Sequence, residues 1–238
     1  DGQRTYHGNG KRIIPHSVGA LPIINRLLDR IRLREFLARH LPPEDARTRV
    51  DTPRVVTLLL RNLLVSREPV YGVAEWARNF GPELFDLWPD DLEHLNDDRV
   101  GRCLDRVFRA LNTNLIMDVV THVVKEFDLR LDELHNDSTT VTLHGDYPAA
   151  QQERFVLGQR VPAITWGHNK DHRPDLKQLL YILTVSDDGG VPVYFQAASG
   201  NVVDDKTHQE TWRLMAELVQ RPDFLYVADC KLATTENL

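Results

Sequence analysis

One order of elements constrains this chain more than any other feature: strand, strand, strand, helix, strand, after about residue 128. Leu131–Asp137 and Thr139–Leu143 read as strand. Gln178–Val185 is rich in branched and aromatic residues, the composition of a strand. Asp187-Asp188-Gly189-Gly190 then supplies turn chemistry, and Val191–Ala197 returns as the second arm of a hairpin. Lys206–Val219 has helical spacing, with Trp212, Met215, Leu218 and Val219 apolar, and Phe224–Ala228 follows as a strand. A strand reached through a crossover helix tends to pair in parallel within the same sheet. A mixed sheet is therefore expected, with its hairpin strands antiparallel and its last strand parallel.

The residues before this point carry a different period. Ile23, Ile24, Leu27, Leu28 and Ile31 recur at helical spacing, with Arg26, Arg30 and Arg34 on another face. Leu41-Pro42-Pro43 breaks that unit. Asp51-Thr52-Pro53 combines a capping side chain with an early proline and opens a helix through Val55, Val56, Leu59, Leu60, Leu63 and Leu64. Tyr71–Phe80 is a shorter helix, closed by Gly81-Pro82, and Asn114–Phe127 is a further one. Asp98–Leu111 has an apolar stripe of Val100, Cys103, Leu104, Val107, Phe108 and Leu111. Its basic stripe is Arg99, Arg102, Arg106 and Arg109. That stripe suits DNA, but a solvated face with Asp98–Arg102 and Asp105–Arg109 pairs is the favoured reading. The expected fold class is α/β: an all-helical region over 1–128, then a mixed sheet with a crossover helix over 129–238.

Charge narrows the function classes. The net charge is −6, yet residues 1–70 alone carry +6. Residues 71–137 carry −8 and residues 138–238 carry −4. An acidic protein with a basic first segment does not coat DNA nonspecifically, but it can grip DNA through a patch. No apolar run is long enough to span a bilayer, so no membrane partner is expected. Cys103 and Cys230 have no metal-type spacing, and a reduced, cytoplasmic setting is the default.

The chemistry-bearing residues are Asp137 and Asp229. Each closes an apolar strand-like run, Leu131–Asp137 and Phe224–Asp229. A carboxylate at a strand end can lean into a shared cleft while its strand stays buried. Two such groups meeting in space could hold Mg²⁺ for phosphoryl transfer. Taken singly, Asp137 is equally a turn or N-cap aspartate, and Asp229 a cap for the next helix.

Three stretches carry a family resemblance. They are Asn136-Asp137-Ser138-Thr139-Thr140, then Gly167–Gln178 leading into a long apolar strand, then Tyr226-Val227-Ala228-Asp229 before a helix-like Ala233–Leu238. The Asp188–Pro192 turn, Gly200-Asn201 through Thr207, and Leu95–Gly101 in the helical half fit the same pattern. In order and spacing the chain resembles the DDE insertion-sequence transposases, whose catalytic core is ribonuclease H-like. The resemblance implies an enzyme that hydrolyses phosphodiesters and transfers strands at element ends, with Mg²⁺ or Mn²⁺ as cofactor. It implies double-stranded DNA as partner, a homo-oligomer such as a dimer, and Asp137 and Asp229 as the two catalytic, metal-holding aspartates. The family's glutamate lies on a helix well beyond the second aspartate. This chain ends nine residues after Asp229, so it is expected to lack that third carboxylate and to be impaired alone in strand transfer. Glu236 is better read as a solvated or capping residue than as a substitute. The competing reading is a catalytically inactive, transposase-derived DNA-binding or regulatory protein; a third is a metal-dependent nuclease of the same fold.

Lys170, His172, Arg173 and Lys177 lie close together on an expected loop and form a candidate phosphate-contact group, against a purely structural loop. His168, Asp171 and His172 also suggest a transition-metal site, but Pro174 opposes the regular helix it would need. His135 and His144 flank Asp137 and could orient water or substrate, although ordinary strand histidines are commoner. Cys230 is expected to pack on the face opposite Asp229.

Overall fold

The computed structural model describes residues 6–8, 11–13, 15–111, 114–168, 172–202, 207–221, 223–229 and 232. The protein is α/β, with a helical N-terminal region followed by a mixed sheet. It divides into two compact units, Asp1–Val119 and Val120–Leu238.

The first unit opens with a short hairpin, β1 (Tyr6–Gly8) and β2 (Lys11–Ile13). Helices follow: α1 (Leu21–Ile31), α2 (Leu33–His40), α3 (Thr52–Val65), α4 (Val73–Arg78) and α5 (Asp97–Ala110). The helix α6 (Leu115–Glu126) contains the division between the units, which thus falls before the composition switch near residue 128. Arg32 takes a left-handed φ of 55° and separates α1 from α2, a break that no glycine or proline announces. The start of α3 follows the sequence closely. The Asp51 carboxylate accepts a hydrogen bond from the Arg54 backbone N–H at 2.9 Å, satisfying one of the orphan donors of the first turn. Asn96 does the same for α5, accepting from Arg99 N–H at 2.8 Å.

Aromatic packing centres this unit. Trp76 lies 5.2 Å from Phe80 and 5.5 Å from Phe85, and Phe80 meets Phe85 edge-on at 6.0 Å. Val55, Leu58, Val73 and Cys103 close around them. The apolar stripe of α1 is only partly used: Leu21 is buried, whereas Ile23 is 77 % exposed.

The basic stripe of α5 is half turned inward. Arg99 donates to Glu44 at 2.8 and 3.0 Å and to the Val50 carbonyl at 2.6 Å. Arg106 donates to the Thr52 hydroxyl at 3.1 Å and to the Pro42 carbonyl. These two arginines tie the 41–51 connection to α5. Only Arg102 and Arg109 remain on the exposed face.

The second unit holds β3 (Glu133–Leu143), a small hairpin of β4 (Arg154–Val156) and β5 (Gln159–Val161), then β6 (Lys177–Ser186), β7 (Pro192–Ser199), α7 (His208–Val219) and β8 (Leu225–Val227). The four-stranded sheet has the order β7-β6-β3-β8. β3, β6 and β7 are antiparallel neighbours, and β8 pairs with β3 in parallel after the α7 crossover. This is the mixed sheet expected from the element order, with its hairpin strands antiparallel and its last strand parallel. The two stretches read as Leu131–Asp137 and Thr139–Leu143 are one unbroken strand, because the ladder to β6 runs from Leu134↔Ser186 to Leu143↔Lys177.

Alternation along β3 sends Leu134, Asn136, Ser138 and Thr140 to a buried face. Leu134 packs there with Met215 of α7, Val193 and Phe224. Burying a side chain of that size contributes about 1.5–3 kcal/mol. The Asn136 amide donates to the Thr184 hydroxyl at 2.9 Å, so the polar pair between β3 and β6 is satisfied inside the sheet.

Two glycines lock the N-terminal end of β6. A Cβ on Gly167 would fall 1.8 Å from the Gly200 carbonyl oxygen, and one on Gly200 would fall 2.2 Å from that of Gln178. The buried Gln178 side chain donates to the Gly200 carbonyl at 2.7 Å. The Gly167–Gln178 and Gly200-Asn201 stretches therefore meet through backbone contact that only glycine permits. Among the described residues, no helix is long and apolar enough to cross a membrane.

Candidate functional site

β3 continues well past the point where β8 stops pairing with it. The last parallel partners are His135 and Val227, and beyond them β3 keeps only its β6 neighbour. The N-terminus of α7 comes to this opening. Asn136, Asp137, Ser138, Thr207, His208 and Asp229 line one small cleft there. Its free volume is about 10 Å³, the room of about one water molecule.

Asp137 does not end its strand. It is an interior residue of β3, because the β-branched run Thr139-Thr140-Val141-Thr142 extends the ladder to β6. What gives Asp137 its access is the end of β8, not the end of β3. Its side chain is exposed, and its Oδ1 accepts a hydrogen bond from the Ser138 backbone N–H at 2.7 Å. Asp229 lies two residues beyond β8 and is exposed as well. The two aspartates thus reach one cleft from different strands.

The cleft also holds a residue that the sequence reading passed over. His208, the first residue of α7, is only 5 % exposed. Its Nδ1 lies 3.2 Å from the Tyr226 hydroxyl. Its Nε2 is buried and has no hydrogen-bond partner among the described residues. Burial, above all, pushes the Tyr226 phenol far up, so the O–H stays intact, although a hydrogen bond with Thr211 works the other way. Nothing in the local sequence marks His208 as special; only the crossover places it here.

Two carboxylates on a water-sized cleft are a donor set that suits a hard divalent ion, which binds through one or two carboxylates and keeps several waters. Asp137 and Asp229 would be its direct ligands. A different group forms the tightest set of potential ligands among the described residues: Glu133, His135 and Asp187, all within 4.8 Å of one another. His135 Nε2 lies 3.0 Å from Glu133 and 3.8 Å from Asp187. The three side chains are partly solvated, and His135 Nε2 makes no hydrogen bond of good geometry to either carboxylate. Asp137, Asp229 and His208 do not all converge within that 4.8 Å limit.

The candidate phosphate contacts are dispersed. Lys170 lies outside the described residues, as do Asp171, Cys230 and Glu236. His172 is exposed, with a left-handed φ of 56°. Arg173 is exposed but forms a two-pronged pair with Asp175 at 2.8 and 2.6 Å. Lys177 is not on the loop. It opens β6, is 6 % exposed, donates to the Asp146 carbonyl and lies 4.8 Å from the Trp166 ring centre. The apolar run of β6 begins only at Leu179, two residues later, and this hid the buried position of Lys177.

A family model described as a domain of unknown function (DUF4277) matches residues 14–121. That stretch covers most of the helical unit and stops before either aspartate. No curated protein and no solved structure matches the chain.

Proposed function

We propose that this chain belongs to a DDE-type insertion-sequence transposase that uses Mg²⁺ or Mn²⁺ to hydrolyse phosphodiesters and transfer strands at element ends. Asp137 and Asp229 are its first two carboxylates. The observation that supports this reading is their meeting in one cleft, across a parallel strand pair formed through a crossover helix. Carboxylates so placed can hold a metal that activates the attacking oxygen and stabilises the leaving one. Both aspartates are exposed, so a phosphodiester on a large substrate can reach them from the surface. The partners in this reading are the element ends and target DNA, with a second copy of the chain, in the cytoplasm.

The test is cleavage of element-end DNA by the full-length protein in Mg²⁺. Asp137→Ala and Asp229→Ala should each abolish cleavage while leaving DNA binding intact. Undiminished cleavage in either variant overturns the reading. Binding without metal-dependent cleavage in the parent protein favours the inactive, DNA-binding alternative.

A further inference from the structure

We propose that His208 is a positioning residue of this cleft, offering its Nε2 lone pair as hydrogen-bond acceptor to water on a divalent ion held by Asp137 and Asp229. The inference rests on the metal-binding reading of the two aspartates given above.

The bond made by Nδ1 decides which ring nitrogen is left bare. Tyr226 Oη lies 3.2 Å from His208 Nδ1, and with the ring proton on Nδ1 that oxygen accepts it. In the neutral ring this is the Nδ1–H tautomer, and Nε2 is a bare acceptor. A histidine's role at a metal site is set in this way, by the bond its other nitrogen makes.

Burial makes the lone pair consequential. A polar atom withdrawn from water without a partner costs about 1–3 kcal/mol. Nε2 is such an atom, on a side chain 5 % exposed that lines the cleft with both aspartates. A metal-bound water is a strong donor and supplies the missing partner. Direct ligation fits less well, because the three ligand groups do not all come within 4.8 Å. Mg²⁺ also prefers oxygen to imidazole nitrogen. One water between ion and ring satisfies both conditions.

The test uses the whole chain labelled with ¹⁵N-histidine, and MgCl₂ as the only ligand. Long-range ¹H–¹⁵N spectra should show His208 as the Nδ1–H tautomer. Its Nε2 resonance should move on adding Mg²⁺, and should stop doing so in Asp137→Asn. By isothermal titration, His208→Leu should bind Mg²⁺ about tenfold more weakly, the usual loss for an outer-shell partner. His208→Gln, which keeps an acceptor oxygen, should retain most of the affinity. Tyr226→Phe should convert His208 to the Nε2–H form and weaken Mg²⁺ binding without removing the imidazole. Mg²⁺ shifts at the backbone amides of Asp137 and Asp229 with no response at His208 would overturn the role of His208 alone. Absence of any Mg²⁺ response in the cleft would overturn the metal-binding reading together with this one.

Discussion

Asp137 and Asp229 both lie two residues beyond the last parallel pair of β3 and β8, which is His135 with Val227. The shared cleft is thus a property of register. A one-residue slip of β8 would carry Asp229 out of step with Asp137.

Metal binding should appear as stability. A ligand at one hundred times its Kd stabilises the folded state by about 2.7 kcal/mol. Mg²⁺ should raise the unfolding midpoint of the parent chain and leave Asp137→Asn and Asp229→Asn unmoved. Without metal, each variant should lie within about 0.5 kcal/mol of the parent, because both side chains are exposed. Thermal denaturation with and without MgCl₂ checks both statements.

Glu44 should give the helical unit an acid-sensitive stability. Burial raises its carboxyl pKa, but hydrogen bonds from Thr52 and Arg99 and the charges of Arg99 and Arg106 outweigh burial and hold it below the ordinary range. A carboxyl depressed in the folded state contributes fully above its unfolded pKa. That contribution disappears as pH falls through the folded value. Glu44→Gln should therefore be less stable than the parent at pH 7 and approach it in acid. Glu44→Ala should cost about 2 kcal/mol at neutral pH. Urea unfolding at a series of pH values measures the convergence.

Gly167→Ala and Gly200→Ala should each destabilise the sheet unit by about 1–3 kcal/mol, the usual cost of overpacking. The added methyl meets backbone, at 1.8 Å from the Gly200 oxygen in one case and 2.2 Å from the Gln178 oxygen in the other. Gly101→Ala is the control, since its Cβ would meet nothing within 4 Å. It should be neutral or better, as alanine is favoured in a helix.

Removing the cap of α3 should be milder. Asp51→Ala forfeits the bond to Arg54 N–H and should cost about 1 kcal/mol. Asp51→Asn should restore most of it. Denaturant midpoints of the two variants provide the comparison.

Local chemistry made much of the fold legible in the sequence. The α3 start, the Asp187–Gly190 turn and the β6–β7 hairpin depend on residues close in the chain, and the structure has them where the sequence suggests. The parallel return of β8 followed from a general rule about crossover connections. Other features depended on partners far away. Arg32 takes its left-handed turn with no glycine to signal it. Arg99 and Arg106 looked like a surface stripe until Glu44, more than fifty residues earlier, drew them inward. Lys177 looked like a loop cation until Asp146 and Trp166 enclosed it.

The candidate site divides in the same way. By itself the sequence determined which strand carries Asp137 and which strand leads into Asp229, because hydrophobic pattern and element order are written locally. Only the tertiary structure decided that β8 ends where β3 does not, which opens an edge at Asp137. It alone brought in His208, whose place depends on the α7 crossover and on a hydrogen bond to Tyr226, eighteen residues away. A single histidine at the start of a helix has no period and no spacing to reveal it. Its significance comes from burial and from one unpartnered nitrogen, and both are properties of the folded chain.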